Sequence, residues 1–455
     1  MAVSARRRIW GWWFFDWASQ PYNTLLLTFI FGPYFAEVAR AHFVAQGQTA
    51  ELSQASAQAY WTGALTVTGL IIAVLAPMLG VIADGRGRKM PWIWAFSAMY
   101  VTGAFALWWT MPVMPGLFWP VFWFSFGFIG MEMATNFTNA LMPSLTTQED
   151  MGRVSGTGFA FGYLGGVIAL FVFLIFFAED ATTGQTRLGL APAFGLDPSL
   201  REGTRSVGPF TAIWYVVFMI PFFLWVKEPL VSGGRRLGAS LVAFAGAVKA
   251  LRARPSLLTF LLASMFYRDA LNATYALGGA FASNVMGWTV IQSGTFGIMA
   301  AVSAAIASWA GGKFDASVGP KPVIVCAVLA LSATIVVMIN LTPTSLFGAV
   351  LAEGSTLPDR VFYGCGIAIG AAGGIAQAAS RTLMVFHTTD RDAAGDFGFY
   401  GLSGKATAFL APALITVATT WFGSARLGIA PLIGIFLIGL VLLIWVNPNG
   451  ERGAP

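Results

Sequence analysis

Long hydrophobic stretches fill most of the chain, and short polar loops interrupt them at fairly even intervals. Several of these stretches reach about 18 residues or more with few charges, the length at which an α-helix crosses roughly 30 Å of hydrocarbon. Taking each stretch between its flanking loop signals predicts twelve membrane-spanning helices. The predicted spans are 9–36, 57–83, 91–112, 115–143, 154–178, 209–227, 256–285, 290–312, 321–341, 361–386, 396–421 and 426–447.

The amino-acid composition supports a membrane protein. Hydrophobic residues make up 57% of the chain and charged residues 10%, whereas a soluble domain has about 25% charged residues. We therefore expect an all-α protein integral to a lipid bilayer. The net charge of +6 fits basic loops at one membrane face better than a nucleic-acid surface. With two histidines and two cysteines in the chain, we expect no metal site and no cofactor.

Basic residues are distributed unevenly between the two sets of loops. Seventeen lie in loops on the same side as the N-terminus and six lie in loops on the other side. The positive-inside rule then places both termini in the cytoplasm, and we expect the plasma membrane, which is the bacterial inner membrane. The longest cytoplasmic loop, 228–254, separates an N-terminal half, 1–227, from a C-terminal half, 255–455.

The two halves share features in the same order, which indicates an internal duplication. The first match is a loop that contains Gly80, Asp84, Gly87, Arg88 and Lys89 in one half, and Gly311, Asp315, Gly319 and Lys321 in the other. A second match pairs Gly156 with Gly398, and a third pairs Asp16 with Asp269 in the first helix of each half. Two pseudo-symmetric six-helix halves are the arrangement expected when a substrate binds at the interface between repeats, and we expect a monomer.

The loop of the N-terminal half resembles a signature of the major facilitator superfamily, Gly-x-x-x-Asp-x-x-Gly-Arg-Lys/Arg, at every fixed position. The resemblance implies the major facilitator fold. An Asp in such a loop can accept hydrogen bonds from the N-terminus of a neighbouring helix, whose dipole favours an anion. The alternative is that Arg88 and Lys89 only set the membrane topology. We expect a cytoplasmic gate formed by Gly80, Asp84, Gly87, Arg88, Lys89, Asp315 and Gly319.

Two further segments carry a narrower resemblance. They are Trp13-Phe-Phe-Asp16-Trp17-Ala and Phe397-Gly-Phe-Tyr400-Gly-Leu-Ser403-Gly404-Lys405. Both look like the "unknown major facilitator" family, which includes fungal vacuolar amino-acid effluxers. This implies a secondary transporter that exports amino acids or related metabolites, with a cation-coupled sugar symporter or a drug efflux carrier as alternatives. No nucleotide-binding P-loop motif occurs, and we expect no enzymatic activity.

Polar residues inside the predicted spans are the candidate site. A charged residue at the bilayer centre costs about 2.5–3.5 kcal/mol, so each one is a functional hypothesis. We expect six to bind protons or substrate: Asp16, Glu132, Asp269, Arg268, Arg381 and Lys405. The alternative for these is permanent ion pairing. Polar neighbours at helical spacing are expected to line the cavity or to join helices: Gln20, Tyr22, Asn23, Asn136, Asn139, Tyr163, Asn272, Tyr275 and Gln377. The expected partners are a small-molecule substrate and H⁺.

Overall fold

The computed structural model describes residues 3–228 and 240–450, and it is almost entirely helical in these ranges. Residues 229–239 of the predicted linker lie outside the described residues. The helices of the N-terminal half are α1 (Ala5–Pro21), α2 (Phe31–Ala45), α3 (Ala50–Arg86), α4 (Met90–Ala106), α5 (Phe118–Asn139), α6 (Met151–Phe176), α7 (Glu202–Arg205) and α8 (Val207–Trp225).

Helix α9 (Ser240–Leu251) lies in the predicted linker and precedes the C-terminal half. The remaining helices are α10 (Pro255–Asn284), α11 (Val290–Val318), α12 (Pro320–Ile339), α13 (Leu357–Phe386), α14 (Ala393–Ala406), α15 (Leu410–Phe422), α16 (Ala425–Gly428) and α17 (Pro431–Leu443). The loop after α12 forms a small antiparallel sheet in the order β1-β2-β3, made of β1 (Leu341–Thr342), β2 (Ser345–Leu346) and β3 (Ala349–Val350).

Every predicted span coincides with helix in the described residues. Nine helical segments in these ranges are long and apolar enough to cross a membrane. The other three predicted spans fall in the α1–α2 region, in α5 and in α10. These are the helices that carry the polar residues around Asp16, Glu132 and Asp269. The first of these spans is interrupted by a π-helix, so neither α1, with 17 residues, nor α2, with 15 residues, is long enough by itself.

The first predicted span contains a wide helical turn. Helix α1 ends at Pro21, and Tyr22–Phe29 form a π-helix. Because proline has no N–H, it frees the carbonyl of Trp17 from the helical hydrogen bonds. That carbonyl accepts a hydrogen bond from Nε1 of Trp214 at 3.3 Å. At the end of the wide turn, the N–H of Ile30 bonds the carbonyl five residues earlier at 2.9 Å.

The eleventh predicted span is broken into α14 and α15. Pro412 lies in the first turn of α15, where its missing N–H is harmless. A continuous helix would press the proline ring against the carbonyl of residue 408. Asp269 of α10 accepts a hydrogen bond from the N–H of Ala411 at 3.1 Å, which satisfies a free donor at the start of α15. Asp269 therefore stabilises the helix break.

The chain divides into two compact units that do not coincide with the two sequence halves. Among the described residues, unit 1 contains 3–74, 88–138 and 161–228, and unit 2 contains 75–87, 139–160 and 240–450. In unit 1, α8 packs against α1 and α4. In unit 2, α13 packs against α11 and α12, and α10 packs against α17 and α14. Two segments of the N-terminal half thus pack with the C-terminal half.

Candidate functional site

The polar face of α1 lies against the glycine-rich part of α6 within unit 1. Asp16 is half-buried there. A methyl group on Gly162 would lie 3.2 Å from the carbonyl oxygen of Asp16, and one on Gly166 would lie 2.8 Å from Cγ of Gln20. The second distance is too short for a real contact, so only glycine lets the two helices approach this closely.

The other candidates of unit 1 differ in their exposure. Asn23, Glu132 and Tyr163 are half-buried. Asn136 is 9% exposed, and its Nδ2 has no hydrogen-bond partner among the residues that the structure describes. A buried amide without a partner is costly, so this nitrogen is a donor that a bound solute or a water molecule can satisfy.

Tyr22 differs from its prediction as a cavity-lining residue. Its side chain is fully buried, and its hydroxyl donates a hydrogen bond to the carbonyl of Phe124 at 2.7 Å. The ring packs edge-on against Tyr100 at a centroid distance of 4.9 Å. Tyr22 therefore joins the π-helix to α5 as part of the aromatic core. Helical spacing alone placed it on the polar face, because the π-helix shifts the register of the residues that follow Pro21.

In unit 2, three of the predicted cavity residues form one polar surface on α10 and α13. Asn272 and Tyr275 are exposed, and Gln377 is half-buried. Nε2 of Gln377 donates to the hydroxyl of Tyr275 at 3.5 Å and to the carbonyl of Gly373 at 3.4 Å. Tyr275 and Gln377 both carry neutral hydrogen-bonding groups, so this surface is polar.

Arg268 extends from α10 across α14. Its Nη1 donates to the carbonyl of Tyr400 at 2.8 Å, and its guanidinium carbon lies 4.2 Å from the centre of the Tyr400 ring. Gly404 makes room for it, because a methyl group there would lie 2.6 Å from Nη2. Lys405, the next residue on α14, is half-buried. The Tyr-Gly-Leu-Ser-Gly-Lys segment thus positions one cation and supplies another.

Arg381 was predicted to bind protons or substrate, with permanent ion pairing as the alternative, and the structure places it in a buried network. The side chain is 3% exposed. Nε and Nη2 donate to the hydroxyl and the carbonyl of Ser155 at 3.0 and 2.7 Å, and Nη1 donates to Oδ1 of Asn139 at 3.4 Å. Its guanidinium also lies over the ring of Phe159 at 4.1 Å. Arg381 therefore joins α13 to the end of α5, through Asn139, and to α6, through Ser155.

The Gly80–Lys89 loop makes the contact that its sequence predicts. Oδ1 of Asp84 accepts a hydrogen bond from the N–H of Ala394 at 3.1 Å, and Oδ2 accepts one from the N–H of Gly395 at 2.6 Å. Both donors belong to the first turn of α14, where a carboxylate is favoured by the free N–H groups and by the helix dipole. A methyl group on Gly80 would overlap the carbonyl of Ala394, so α3 and α14 touch through their backbones.

The second copy of the loop repeats this backbone contact but not the hydrogen bonds. A methyl group on Gly156 of α6 would lie 2.6 Å from Cα of Gly312 on α11. The sequence match pairs Gly156 with Gly398, where a methyl group would lie 2.5 Å from Cα of Pro77 on α3. Asp315, the counterpart of Asp84, lies against Gly152 in the first turn of α6. Its carboxylate oxygens have no hydrogen-bond partner in the described parts of the chain.

The remaining residues of the predicted gate have separate roles. Gly87 and Gly319 have φ values of 67° and 85°, which favour glycine, and Gly319 is the C-cap of α11. Arg88 is exposed and Lys89 is buried. Lys89 is the N-cap of α4, and its N–H donates to the carboxylate of Glu228 at 2.6 Å.

The match to known proteins agrees with this geometry. Over residues 4–454, the chain matches the family described as "Vacuole effluxer Atg22 like". The chain belongs to this family. The family-level resemblance drawn from the Asp-Trp-Ala and Ser-Gly-Lys segments is therefore confirmed.

Two relatives of this Atg22-like protein illustrate its range. "Uncharacterized MFS-type transporter YxiO" of Bacillus subtilis (strain 168) is 26% identical over 447 residues, which cover 96% of this chain and 94% of the relative. "Autophagy-related protein 22" of Cryptococcus neoformans is 24% identical over 311 residues, which cover 66% of this chain. The match spans about half of that fungal protein, 49% of its length.

Solved structures establish the fold. The proton:xylose symporter XylE superposes with a TM-score of 0.72 at 10% identity, covering 98% of this chain and 96% of that structure. The E. coli fucose:proton symporter FucP gives a TM-score of 0.68 at 14% identity, covering 98% and 99%. The predicted major facilitator fold is confirmed, and the protein is an integral membrane transporter of the major facilitator superfamily.

Sequence reasoning missed several residues of the Atg22-like structure. Glu228 accepts hydrogen bonds from the first two N–H groups of α4 at 2.6 and 3.0 Å. Arg254 is one of the seventeen basic residues that predict the membrane orientation. Its Nη1 donates hydrogen bonds to both carboxylate oxygens of Asp396, at 2.9 and 3.1 Å. Nε2 of His387 forms a hydrogen bond with the hydroxyl of Ser256 at 2.8 Å. In the sequence these residues stand at the ends of apolar stretches, where the free N–H and C=O groups of helix termini need hydrogen-bond partners.

Proposed function

We propose that this protein exports a small polar solute of the amino-acid class by alternating access, driven by a proton gradient, with both termini and the Gly80–Lys89 loop in the cytoplasm. The observation that carries the proposal is a pair of close helix contacts. Helix α3 meets α14 at Gly80, with the hydrogen bonds of Asp84, and α6 meets α11 at Gly156. In this proposal these contacts form a cytoplasmic gate that is closed while these helices touch and opens in the other state of the transport cycle.

The gate contacts suit a reversible closure. Asp84 accepts hydrogen bonds from two backbone N–H groups of α14, and water can take their place when the two helices separate. Each such hydrogen bond contributes a net free energy of only about 1.5–3 kcal/mol because water competes for both partners. The closed and open states therefore stay close enough in free energy for a bound solute to shift their populations.

The charged residues of each unit, taken separately, favour a solute with charged groups. In unit 2, Lys405 and the guanidinium of Arg268 are suited to a carboxylate, and the same unit carries the neutral hydrogen-bonding groups of Tyr275 and Gln377. In unit 1, Asp16 and Glu132 are half-buried carboxylates that can hold either an ammonium group or a proton. Efflux is the direction that the family description suggests.

Transport by the purified protein in liposomes tests the proposal. A panel of labelled amino acids, sugars and lipophilic cations is offered with and without a proton gradient. We expect an amino acid to accumulate only when the gradient is present. If a sugar moves and no amino acid does, the sugar symporter replaces the amino-acid exporter as the function.

A matched pair of variants separates coupling from binding. Asp16→Asn removes a titratable group on the polar face of α1, so gradient-driven accumulation should disappear while solute exchange continues. Glu51→Gln changes an exposed residue in the first turn of α3 and should accumulate solute like the natural protein. Accumulation that survives Asp16→Asn shows that this carboxylate does not couple transport to protons.

A further inference from the structure

Asp315 occupies a place where a carboxylate is poorly accommodated. The residue is 3% exposed, and neither oxygen has a hydrogen-bond partner within 3.5 Å in residues 3–228 and 240–450. The hydroxyl of Thr382 is a donor that acts on this carboxyl group, but from beyond 3.5 Å, and it also donates to the carbonyl of Ala378 at 3.2 Å. Gly152 covers the carboxyl group, because a methyl group there would lie 2.7 Å from Cγ of Asp315.

No cation compensates this carboxyl group within the described residues. The charged groups of the helices packed around it all make contacts in other directions. Arg153 bonds Asp150 at 3.3 Å, and Arg381 bonds Ser155 and Asn139. Lys321 donates to the carbonyls of Ile444 and Val446, and Lys313 lies 3.4 Å from the ring centre of Trp309. Arg268 bonds the carbonyl of Tyr400.

Asp84 provides the internal comparison, because the two residues occupy equivalent places in the repeat. Asp84 is half-buried and receives two backbone hydrogen bonds, so it is well solvated as an anion. Burying an ionised carboxylate without hydrogen bonds or a paired cation is far more costly than burying the neutral acid. The duplication therefore has one aspartate suited to a permanent negative charge and one suited to the neutral form.

We propose that Asp315 is a proton-binding site that locks the gate, an inference that rests on the proposed alternating access. Closing the gate brings Gly152 over the carboxyl group, and Asp315 takes up one proton from the water on the loop side as α6 and α11 meet. When the helices separate, the carboxylate is hydrated and releases that proton to the same side. Acidification on the loop side therefore favours the closed gate, without any proton crossing the membrane at this step.

A distance measurement across the gate tests the proposal without substrate. The natural cysteines, Cys326 and Cys365, are replaced by alanine, and spin labels are attached to cysteines at the exposed positions Glu149 and Ser317. Double electron–electron resonance on the full chain in nanodiscs then gives the closed and open populations from pH 5 to 9. For a single proton bound only by the closed form, the closed-to-open ratio falls by up to about tenfold per pH unit.

Two variants define the outcome. Asp315→Asn should favour the closed gate, because the amide mimics the neutral acid. Its closed-to-open population ratio should no longer change with pH. Asp84→Asn should lower the closed population at every pH and keep the pH slope, since its hydrogen bonds do not depend on Asp315. A slope in Asp315→Asn equal to that of the natural protein overturns the proposal.

The natural protein alone also decides the question if Asp315→Asn does not fold. A closed-to-open ratio that stays constant from pH 5 to 9 in the labelled natural chain overturns the proton lock. Because this measurement involves neither solute nor gradient, failure of the lock leaves the proposed export intact. Conversely, a liposome panel in which no amino acid moves leaves the pH result unaffected.

Discussion

Replacing Gly80 with alanine should prevent the gate from closing fully. The added methyl group would overlap the carbonyl oxygen of Ala394, and it would lie 2.6 Å from the carbonyl carbon and 2.9 Å from Cα of Gly395. Ordinary contacts of a Cβ begin at 3.4 Å, and backbone atoms cannot rotate away as a flexible side chain can. Helices α3 and α14 must therefore move apart, which also lengthens the two hydrogen bonds that Asp84 accepts.

The size of the effect follows from the cost of overpacking. An extra methyl group in a well-packed contact costs about 1–3 kcal/mol. At 1.36 kcal/mol for each factor of ten, the closed-to-open ratio should fall by about 5- to 150-fold. The populations can be measured by double electron–electron resonance with labels at positions 149 and 317, at one pH and without substrate.

Gly69→Ala is the matched control on the same helix. No atom lies within 4 Å of a methyl group at that position, so the change alters helix propensity but creates no contact. Propensity differences between glycine and alanine are about 1 kcal/mol at both sites and cancel in the comparison. The reasoning is refuted if Gly80→Ala has the closed population of the natural protein, or if Gly69→Ala opens the gate to the same extent.

Three further changes probe single contacts. Arg381→Lys loses the planar fork of a buried hydrogen-bond network, so the free energy of unfolding should fall by about 1.5–3 kcal/mol in denaturation of the detergent-solubilised protein. Glu228→Ala uncaps α4 and should lower the same quantity by about 0.5–2 kcal/mol. Hydrogen bonds, first from the hydroxyl of Thr182, lower the pKa of Asp180 from 3.8 to about 2, and Thr182→Val should raise it in an NMR titration.

These three predictions have direct controls. Glu149→Ala removes an exposed carboxylate and should leave stability unchanged, so an equal loss there contradicts the capping role of Glu228. Natural stability in Arg381→Lys contradicts the buried network. Because the folded pKa of Asp180 is depressed, its stabilisation is complete above pH 3.8 and is lost as the pH falls towards 2. An unchanged pKa in Thr182→Val contradicts the assigned cause.

The spans and the contact of Asp84 with the start of a helix were predictable because apolar length and a short motif indicate them. Apolar length sets the spans, and the spacing of Gly80 and Asp84 places a carboxylate beside a glycine at a helix end. The network of Arg381 was not predictable, because no sequence motif marks Ser155 and Asn139 as its partners. The role of Asp269 depends on the helix break before α15. That break was not predicted, because the eleventh span was expected to be one continuous helix.

The internal repeat was informative about position but not about chemistry. The sequence pairs Asp84 with Asp315, and the structure gives them different surroundings: two N–H donors for the first and close packing against Gly152 for the second. The two carboxyl groups differ in which atoms lie within hydrogen-bond distance of them. Sequence patterns do not resolve distances of that size, so the equivalence of the two loops could be predicted and their difference could not.

A reversible cross-link at the gate tests alternating access most directly. A methyl group on Gly395 would lie 3.6 Å from Cα of Val81, so cysteines at these two positions fall within the reach of a disulfide bond. In liposomes, oxidation of Val81→Cys/Gly395→Cys in a chain without other cysteines should stop transport of the solute found in the panel, and reduction should restore it. Transport at the full natural rate with the cross-link complete would contradict the account.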